Sequence, residues 1–499
     1  MKKLFSLICC ILVLATLFAG CQNDGPANDP KDTSTGEVES TGEVDTSDLY
    51  DANGYLKDSI PDDIDYGGAI IKIMAWNAEG GDVDFDTDYS EGDQIAYQTF
   101  SRNEAVQERL NVEFEFDLSM KGNNPDRFNY VQTVERNIGA GINYDLIACY
   151  SMCAANFSAD GYVVDLKQYQ GILDFEKPWW SSKMLESSTI NDKLYFASGS
   201  ISASSILQTL VLAVNMQKVV DYDLEDPRQL VLDGEWTMAK FYEMCANKWI
   251  DTNTEVEGKD AGDNFGFAPM DSVIGDGFLA SNSLHYLSTD ESGKLVIAPD
   301  FKGEQTYNLS RDLIDKFKTD DYLYDGNGHA AVLREGRSLF FACTLDFIKG
   351  NRSEMDYKYG YVPYPKADEA QKDYYSACGF PYTMWMITSV CKDGERAAYV
   401  MEALASESYR TVQPEVYENI KYRGNSDPLN AKMFDLIIES KTYDMGRIFH
   451  NMFEWSDSPV AAFRTRMYKY DNDNWYSALA STSEAMQSVI DNINASFGY

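Results

Sequence analysis

The sequence predicts an α/β fold of parallel sheets flanked by helices, divided over more than one domain. Three observations carry this reading. From about residue 69 onward, apolar runs of strand length alternate with amphipathic helical stretches, and β-α-β order at that spacing implies parallel strands joined by helical crossovers. The chain has 499 residues, and at ~100–200 residues per domain that length holds two or three domains. Its apolar content of 44% and aromatic content of 13% can build a sizeable core, so global disorder is excluded. A formal net charge of −38, from 42 basic and 80 acidic residues, argues against nucleic acid as a partner, because nothing offsets phosphate repulsion. The overall charge favours a neutral, zwitterionic or cationic ligand.

The elements follow in order. Met1-Lys2-Lys3 is a short cationic start, and Leu4 to Gly20 is apolar or small throughout. This stretch is short for a permanent span and ends in small residues, as export signals do. It closes on Leu17-Phe18-Ala19-Gly20-Cys21, which resembles a bacterial lipobox. The motif implies cleavage after Gly20 and a diacylglycerol thioether on Cys21, with palmitate completing the lipid. Residues 1–20 are then a lipoprotein signal peptide, and the mature protein is held on the extracellular face of the cell membrane. Residues 21–65 are rich in Asp, Glu, Ser, Thr, Gly and Asn and poor in large aliphatics. Such a stretch cannot bury enough surface to order itself, so it reads as a disordered acidic linker.

Ala69–Ala75 is the first predicted strand and opens onto Trp76-Asn77. Gln94–Leu110 is an amphipathic helix with Ile95, Phe100 and Val106 near one face. Asn111–Phe116 alternates with period two and is the second strand, Asp126–Gly139 the next helix, and Asp145–Tyr150 the third strand. Lys193–Gly199 and Leu207–Asn215 are further strands, and Trp236–Trp249 a helix begun near Thr237. Ligands of parallel sheets bind off the carboxyl ends of the strands, so the loops after Ala75 and Tyr150 face any cleft. Cys149, Cys153, Cys245, Cys343, Cys378 and Cys391 remain after processing, with no Cys-x-x-Cys pair. They read as buried thiols, with one or two disulfides as the alternative.

Several segments, in order, resemble the family 1 extracellular solute-binding proteins, the sugar-type capture components of ABC importers. "GDQIAYQTFSRNEAVQERLNVEFEF" resembles the family's first helix and second strand. "NYDLIACY" with "FSADGYVVDLKQY" resembles its next strand and cleft loop. "NDKLYF", "LVLAVNMQKVVDYDLED" and "GEWTMAKF" resemble its Gly-Lys-Leu-Tyr, Tyr-Asn-Lys and Thr-Trp-Asp-Glu stretches. "GHAAVLREGRSLFF" resembles Gly-Lys-Ala-Ala-Met, and "YGYVPYPKADEAQ" the strand leading into a hinge. Val214 departs from a common Tyr, and Cys343-Thr344 replaces a Gly-Ser-Trp-like stretch near the ligand. The resemblance implies an α/β, two-lobed, periplasmic-binding-protein-like fold of type II, with parallel-sheet lobes and hinge crossings, in a solute-binding domain over 66–499. The first lobe would take residues 66–200 plus 377–455 and the second 201–376 plus 456–499. It further implies a monomer that binds an oligosaccharide, hands it to the transmembrane subunits of an ABC permease, and breaks no bond.

Sugar capture needs flat aromatic faces for pyranose C–H surfaces and polar groups that fix hydroxyls. Trp76, Asn77 and Glu79 follow the first strand and are first-lobe candidates. Tyr150 and Ser151 close the third. Gln208 lies in the first crossing and Thr344 in the departing stretch; Phe380, Tyr382 and Trp385 flank the second crossing, and Trp455 lies near a third. Trp179-Trp180 can stack on sugars or pack, and Trp236 reads as a helix anchor. Catalysis finds little support: His285, His329 and His450 are far apart, and neither a Gly-x-Ser-x-Gly elbow nor a phosphate loop occurs. Asp82–Asp93 alternates acids like a calcium loop. Counted from Asp84, however, Tyr89 replaces the turn glycine and Ile95 the twelfth-position carboxylate. No metal and no cofactor are expected. A peptide-binding lipoprotein and an anchored glycoside hydrolase are the alternative functions.

Overall fold

Most strand-forming runs in this chain fall into two groups, each building a four-stranded sheet, and two short pairs of strands stand apart from both. The computed structural model describes residues 49–499 except 52, 78–81, 86–92, 253–257, 271–273, 324–328, 424–425 and 470–473. Residues 1–20, expected to be the signal peptide, Cys21, Glu79 and most of the acidic loop Asp82–Asp93 lie outside the described residues. In chain order the strands are β1 (Ala69–Ala75), β2 (Val112–Asp117), β3 (Leu146–Tyr150), β4 (Leu210–Asn215), β5 (Phe265–Pro269) and β6 (Leu287–Thr289). They continue with β7 (Leu295–Ile297), β8 (Ser338–Thr344), β9 (Tyr359–Val362), β10 (Ser376–Ala377), β11 (Thr383–Ile387) and β12 (Lys441–Thr442).

The first sheet has the order β11-β3-β1-β2 and the second β5-β8-β4-β9. β1 runs parallel to β2 and β3, joined by the helices Gln94–Leu110 and Arg127–Gly139. Asp93 caps the first helix, its side chain accepting from the backbone N–H groups of Ile95 and Ala96, and Asn111 ends it in the left-handed conformation at φ 48°. β3, β4, β5 and β8 are buried along their whole length, which is why they read as unbroken apolar runs. β2 is an edge strand, and its alternation of Val, Phe and acids follows from one buried and one wetter face.

Both sheets hold parallel pairs, as the sequence leads one to expect, and each adds antiparallel ones. β11 is antiparallel to β3, and β4 is antiparallel to both β8 and β9. Each reversed strand follows a segment arriving from the other sheet, so it enters its own sheet from the opposite end. Lys193–Gly199, expected as a strand, is not one; it makes isolated bridges through Lys193, Ala197 and Gly199. Gly199 passes so close to the chain that a Cβ there would lie 2.2 Å from the Trp179 carbonyl oxygen, which leaves no room for a regular ladder. The predicted helix 236–249 is confined to Met238–Cys245, with Thr237 as its cap.

The linker ends earlier than residue 65. Ile60 is part of the core, and Asp58, whose side chain is only 3% exposed, accepts two hydrogen bonds from Arg109, at 2.8 Å each, and one from Arg410 at 3.2 Å. The C-terminal helix Trp475–Ser496 is not confined to the second lobe. Its Asn494 exchanges two hydrogen bonds with Leu295 of β7, and the helix also packs against Ser151–Ala159. All six remaining cysteines are free thiols.

Candidate ligand site at the hinge

Three backbone segments pass side by side between the sheets. Thr209 bridges Cys378 in antiparallel sense, the Cys378 N–H donates to Thr442 at 3.1 Å, and the Leu345 N–H donates to Thr209 at 3.1 Å. β10 and β12 pair in parallel within the same strip. Gly379 is required there: its N–H donates to the Gln208 carbonyl at 2.6 Å, and a Cβ at this position would lie 2.7 Å from that oxygen. The strip brings the carboxyl end of β3 to the amino end of β11. The Ser151 N–H donates to Tyr382 at 2.9 Å and its hydroxyl to the Phe380 carbonyl at 2.5 Å.

This geometry collects Tyr150, Ser151, Gln208, Phe380 and Tyr382 around the crossings. Gln208 reaches across to Asp346, its amide donating at 3.4 Å. Thr344 caps the helix Leu345–Asn351, its hydroxyl accepting from the Phe347 N–H at 3.1 Å. Asn77 is tied to the loop after β2, with its N–H on Met120 at 2.8 Å and its amide on Leu118 at 3.1 Å. Trp455 is 52% exposed, and its ring lies 5.6 Å from His450, which in turn stacks on Phe380 at 6.1 Å.

Two of the expected stacking residues are placed elsewhere. Trp76 is fully buried, its ring 5.3 Å from Tyr150 and its indole N–H donating to the Thr383 hydroxyl at 3.0 Å. That hydroxyl donates to the buried carboxylate of Asp84 at 2.6 Å, which Ser204 also engages through its N–H and hydroxyl. Burial pushes Asp84 up to about 6, against these hydrogen bonds. Trp385 is buried on β11 with its indole N–H on Ser202 at 3.1 Å. Neither ring presents a face to a ligand here. Trp179 and Trp180 both donate to Glu402, at 2.9 Å each, and Trp236 donates to the Pro363 carbonyl at 2.9 Å as a packing anchor.

Sequence reasoning missed the charged cluster on the far side of Phe380. Asp276 receives Arg464 through two nitrogens, Arg447 at 2.8 Å and the Tyr286 hydroxyl at 2.7 Å. Burial alone would raise Asp276, but the two guanidinium charges outweigh it and hold the carboxyl below its ordinary value. Both guanidinium groups also sit over the Phe380 ring, at 4.1 and 5.0 Å from its centroid. Nη2 of Arg447 has no hydrogen-bond partner among the described residues. It borders a crevice of about 10 Å³, room for about one water, shared with Ser151, Phe380 and Tyr382. His450 stays neutral: burial first, then Arg464, pushes it down to about 3. No adjacent signal marks these residues in sequence, because Asp276, Arg447 and Arg464 come from distant segments.

A two-lobed α/β fold with several hinge crossings is the architecture of type II solute-binding proteins, and the chain has that fold. No family model and no curated protein matches the chain by sequence. Solved structures match over most of it. UgpB from Mycobacterium tuberculosis, in complex with glycerophosphocholine, is 11% identical with a TM-score of 0.56, over 85% of this chain and 99% of that one. An extracellular solute-binding protein from Staphylococcus aureus in complex with maltose is 12% identical, TM-score 0.56, over 85% and 98%. The ABC substrate-binding protein Lmo0181 from Listeria monocytogenes, in complex with cycloalternan, is 10% identical, TM-score 0.52, over 87% and 100%.

Proposed function

We propose that the protein captures an oligosaccharide outside the cell and delivers it to the transmembrane subunits of an ABC importer. The observation that carries this reading is the hinge strip, which sets Tyr150, Ser151, Gln208 and Tyr382 at the meeting point of two separate sheets. Lobes joined in this way close over a ligand by small backbone rotations, and closure removes water from the hydroxyl network that holds it. Asn77 and Thr344 complete the polar lining, and Trp455 supplies aromatic surface. In this reading the lobes are 66–200 plus 377–455 and 201–376 plus 456–499, with the segment from Asp58 joined to the first and the helix Trp475–Ser496 packed on both. Support comes from fold neighbours that hold maltose and cycloalternan and are named as binding proteins rather than enzymes.

The lipid on Cys21 would keep this domain at the membrane as a monomer; among the described residues no helix is long and apolar enough to cross a bilayer. A thermal-shift screen of the chain from residue 22 onward against a glycan panel tests the proposal. A ligand that binds only the native state raises the unfolding midpoint with concentration. Stabilisation by one glycan class is the expected result. A protein stabilised by peptides and by none of the glycans overturns it.

A further inference from the structure

A second pocket, of about 240 Å³, lies beside the hinge and shares no lining residue with the Ser151–Phe380 crevice. Trp180, Lys183, Ser205, Gln413, Tyr417 and Lys441 are on its walls. Lys441 is the first residue of β12, and although it is a lysine it is only 8% exposed. Its partners are neutral: the ammonium donates to the Ser205 carbonyl at 3.2 Å and lies 5.5 Å from the Tyr443 ring centroid. Among the described residues it forms no ion pair. An ammonium carries three donors, and a buried charge is ordinarily paired with an opposite one. At the rim, Lys183 likewise donates to a backbone carbonyl, that of Glu439 at 2.7 Å, and not to a carboxylate.

Glu439 also lines the pocket, but among the described residues no ion pair joins it to Lys441 or Lys183, and a buried ammonium left without an ion pair at the wall of a polar pocket is matched by an anion. We infer that this pocket takes an oxyanion, the carboxylate, sulfate or phosphate group of a small molecule, on the ammonium of Lys441 with Lys183 at the entrance. The chain as a whole carries −38, so its long-range field repels anions and only a built cationic pocket would retain one. Ser205 belongs to the short helix Ser204–Leu207 entering the first crossing and Lys441 to the third, so, on the proposed function, the occupant touches two of the segments that flex during closure.

The test is thermal unfolding of the chain from residue 22 onward, at constant ionic strength, with inorganic phosphate, with sulfate and with galacturonic acid. A concentration-dependent rise in midpoint is expected, with affinity falling about tenfold or more in Lys441→Met. Phosphate or sulfate acting as strongly as galacturonate assigns the pocket to free oxyanions, and a response confined to galacturonate assigns it to an acidic sugar; either result sustains the inference. Should Lys441→Met not fold, Lys183→Glu on the exposed rim is expected to weaken the same response several-fold by charge repulsion. A protein that responds to none of the three, or whose variants respond as the unaltered chain does, overturns the inference. Glycan stabilisation retained in Lys441→Met keeps the fate of the interlobe site separate from that of this pocket.

Discussion

Cutting Trp76 to Ala separates a packing role from a binding role. The ring is fully buried against Tyr150, and its N–H ends a chain of hydrogen bonds running through Thr383 to Asp84. Removal of a buried tryptophan side chain costs about 3–5 kcal/mol, because transfer free energy and a residual cavity add. That is a large part of a folding stability of about 5–15 kcal/mol. Trp76→Phe keeps a ring against Tyr150 and removes only the donor and part of the volume, so its cost is about 1–2 kcal/mol. Denaturant unfolding measures both, and titration with the cognate glycan of whatever protein remains folded measures the other role. The expected order of stability is unaltered chain, then Phe, then Ala, with affinity changed little in the Phe variant. A Trp76→Ala protein with an unchanged unfolding midpoint and lost binding would refute the packing argument and return Trp76 to the ligand surface.

Trp455→Ala should give the opposite pattern, because a ring 52% exposed has little packing to lose: stability within about 0.5 kcal/mol and glycan affinity weaker by about 5- to 30-fold, read by calorimetric titration. Asp58→Asn should destabilise by about 2 kcal/mol. Burial opposes ionisation of Asp58, but Arg109, Ser406 and Arg410 outweigh it and bring the carboxyl down to about 2. This contribution is full above the ordinary aspartate range and is lost as pH falls toward about 2, so the gap between Asn variant and parent should close in acid unfolding curves. Cys21→Ala should leave an uncleaved precursor or release the protein from membranes on fractionation; a variant that is anchored as before would remove the lipoprotein reading.

Strand existence was legible where burial forces a simple pattern. β1, β2 and β3 appear in sequence within a residue or so of their limits, since two of them are continuous apolar runs and the third alternates. Strand direction was not legible, because it depends on which end of a sheet a crossing enters, and β4 and β11 carry no local mark of that. Lys193–Gly199 misled for a related reason: its alternating apolar residues satisfy the strand pattern, while the contact of Gly199 with Trp179 is a tertiary constraint. The tether limit moved because of one carboxylate and the two arginines that hold it. Asp58 looks like one more acid in an acidic stretch until Arg109 and Arg410, 51 and 352 residues away, are brought to it.

Charge shows the same division at the site. Against 80 acidic residues no local run of sequence singles out Asp276, yet folding surrounds it with two guanidinium groups and a tyrosine hydroxyl, and those arginines in turn cover Phe380. The general rule that ligands sit at carboxyl termini of strands nominated Ser151, and folding places it at the end of β3 with its hydroxyl on the Phe380 carbonyl. Aromatic candidates were not separable, because a tryptophan at a strand end has the same sequence signature whether its indole N–H faces a ligand or, as with Trp76, a threonine on a strand 307 residues away. What discriminates the two is the partner of the polar atom: Trp76, Trp179, Trp180, Trp236 and Trp385 all spend their N–H groups inside the fold. Trp455, half in solvent beside His450, is the ring with a face left to offer.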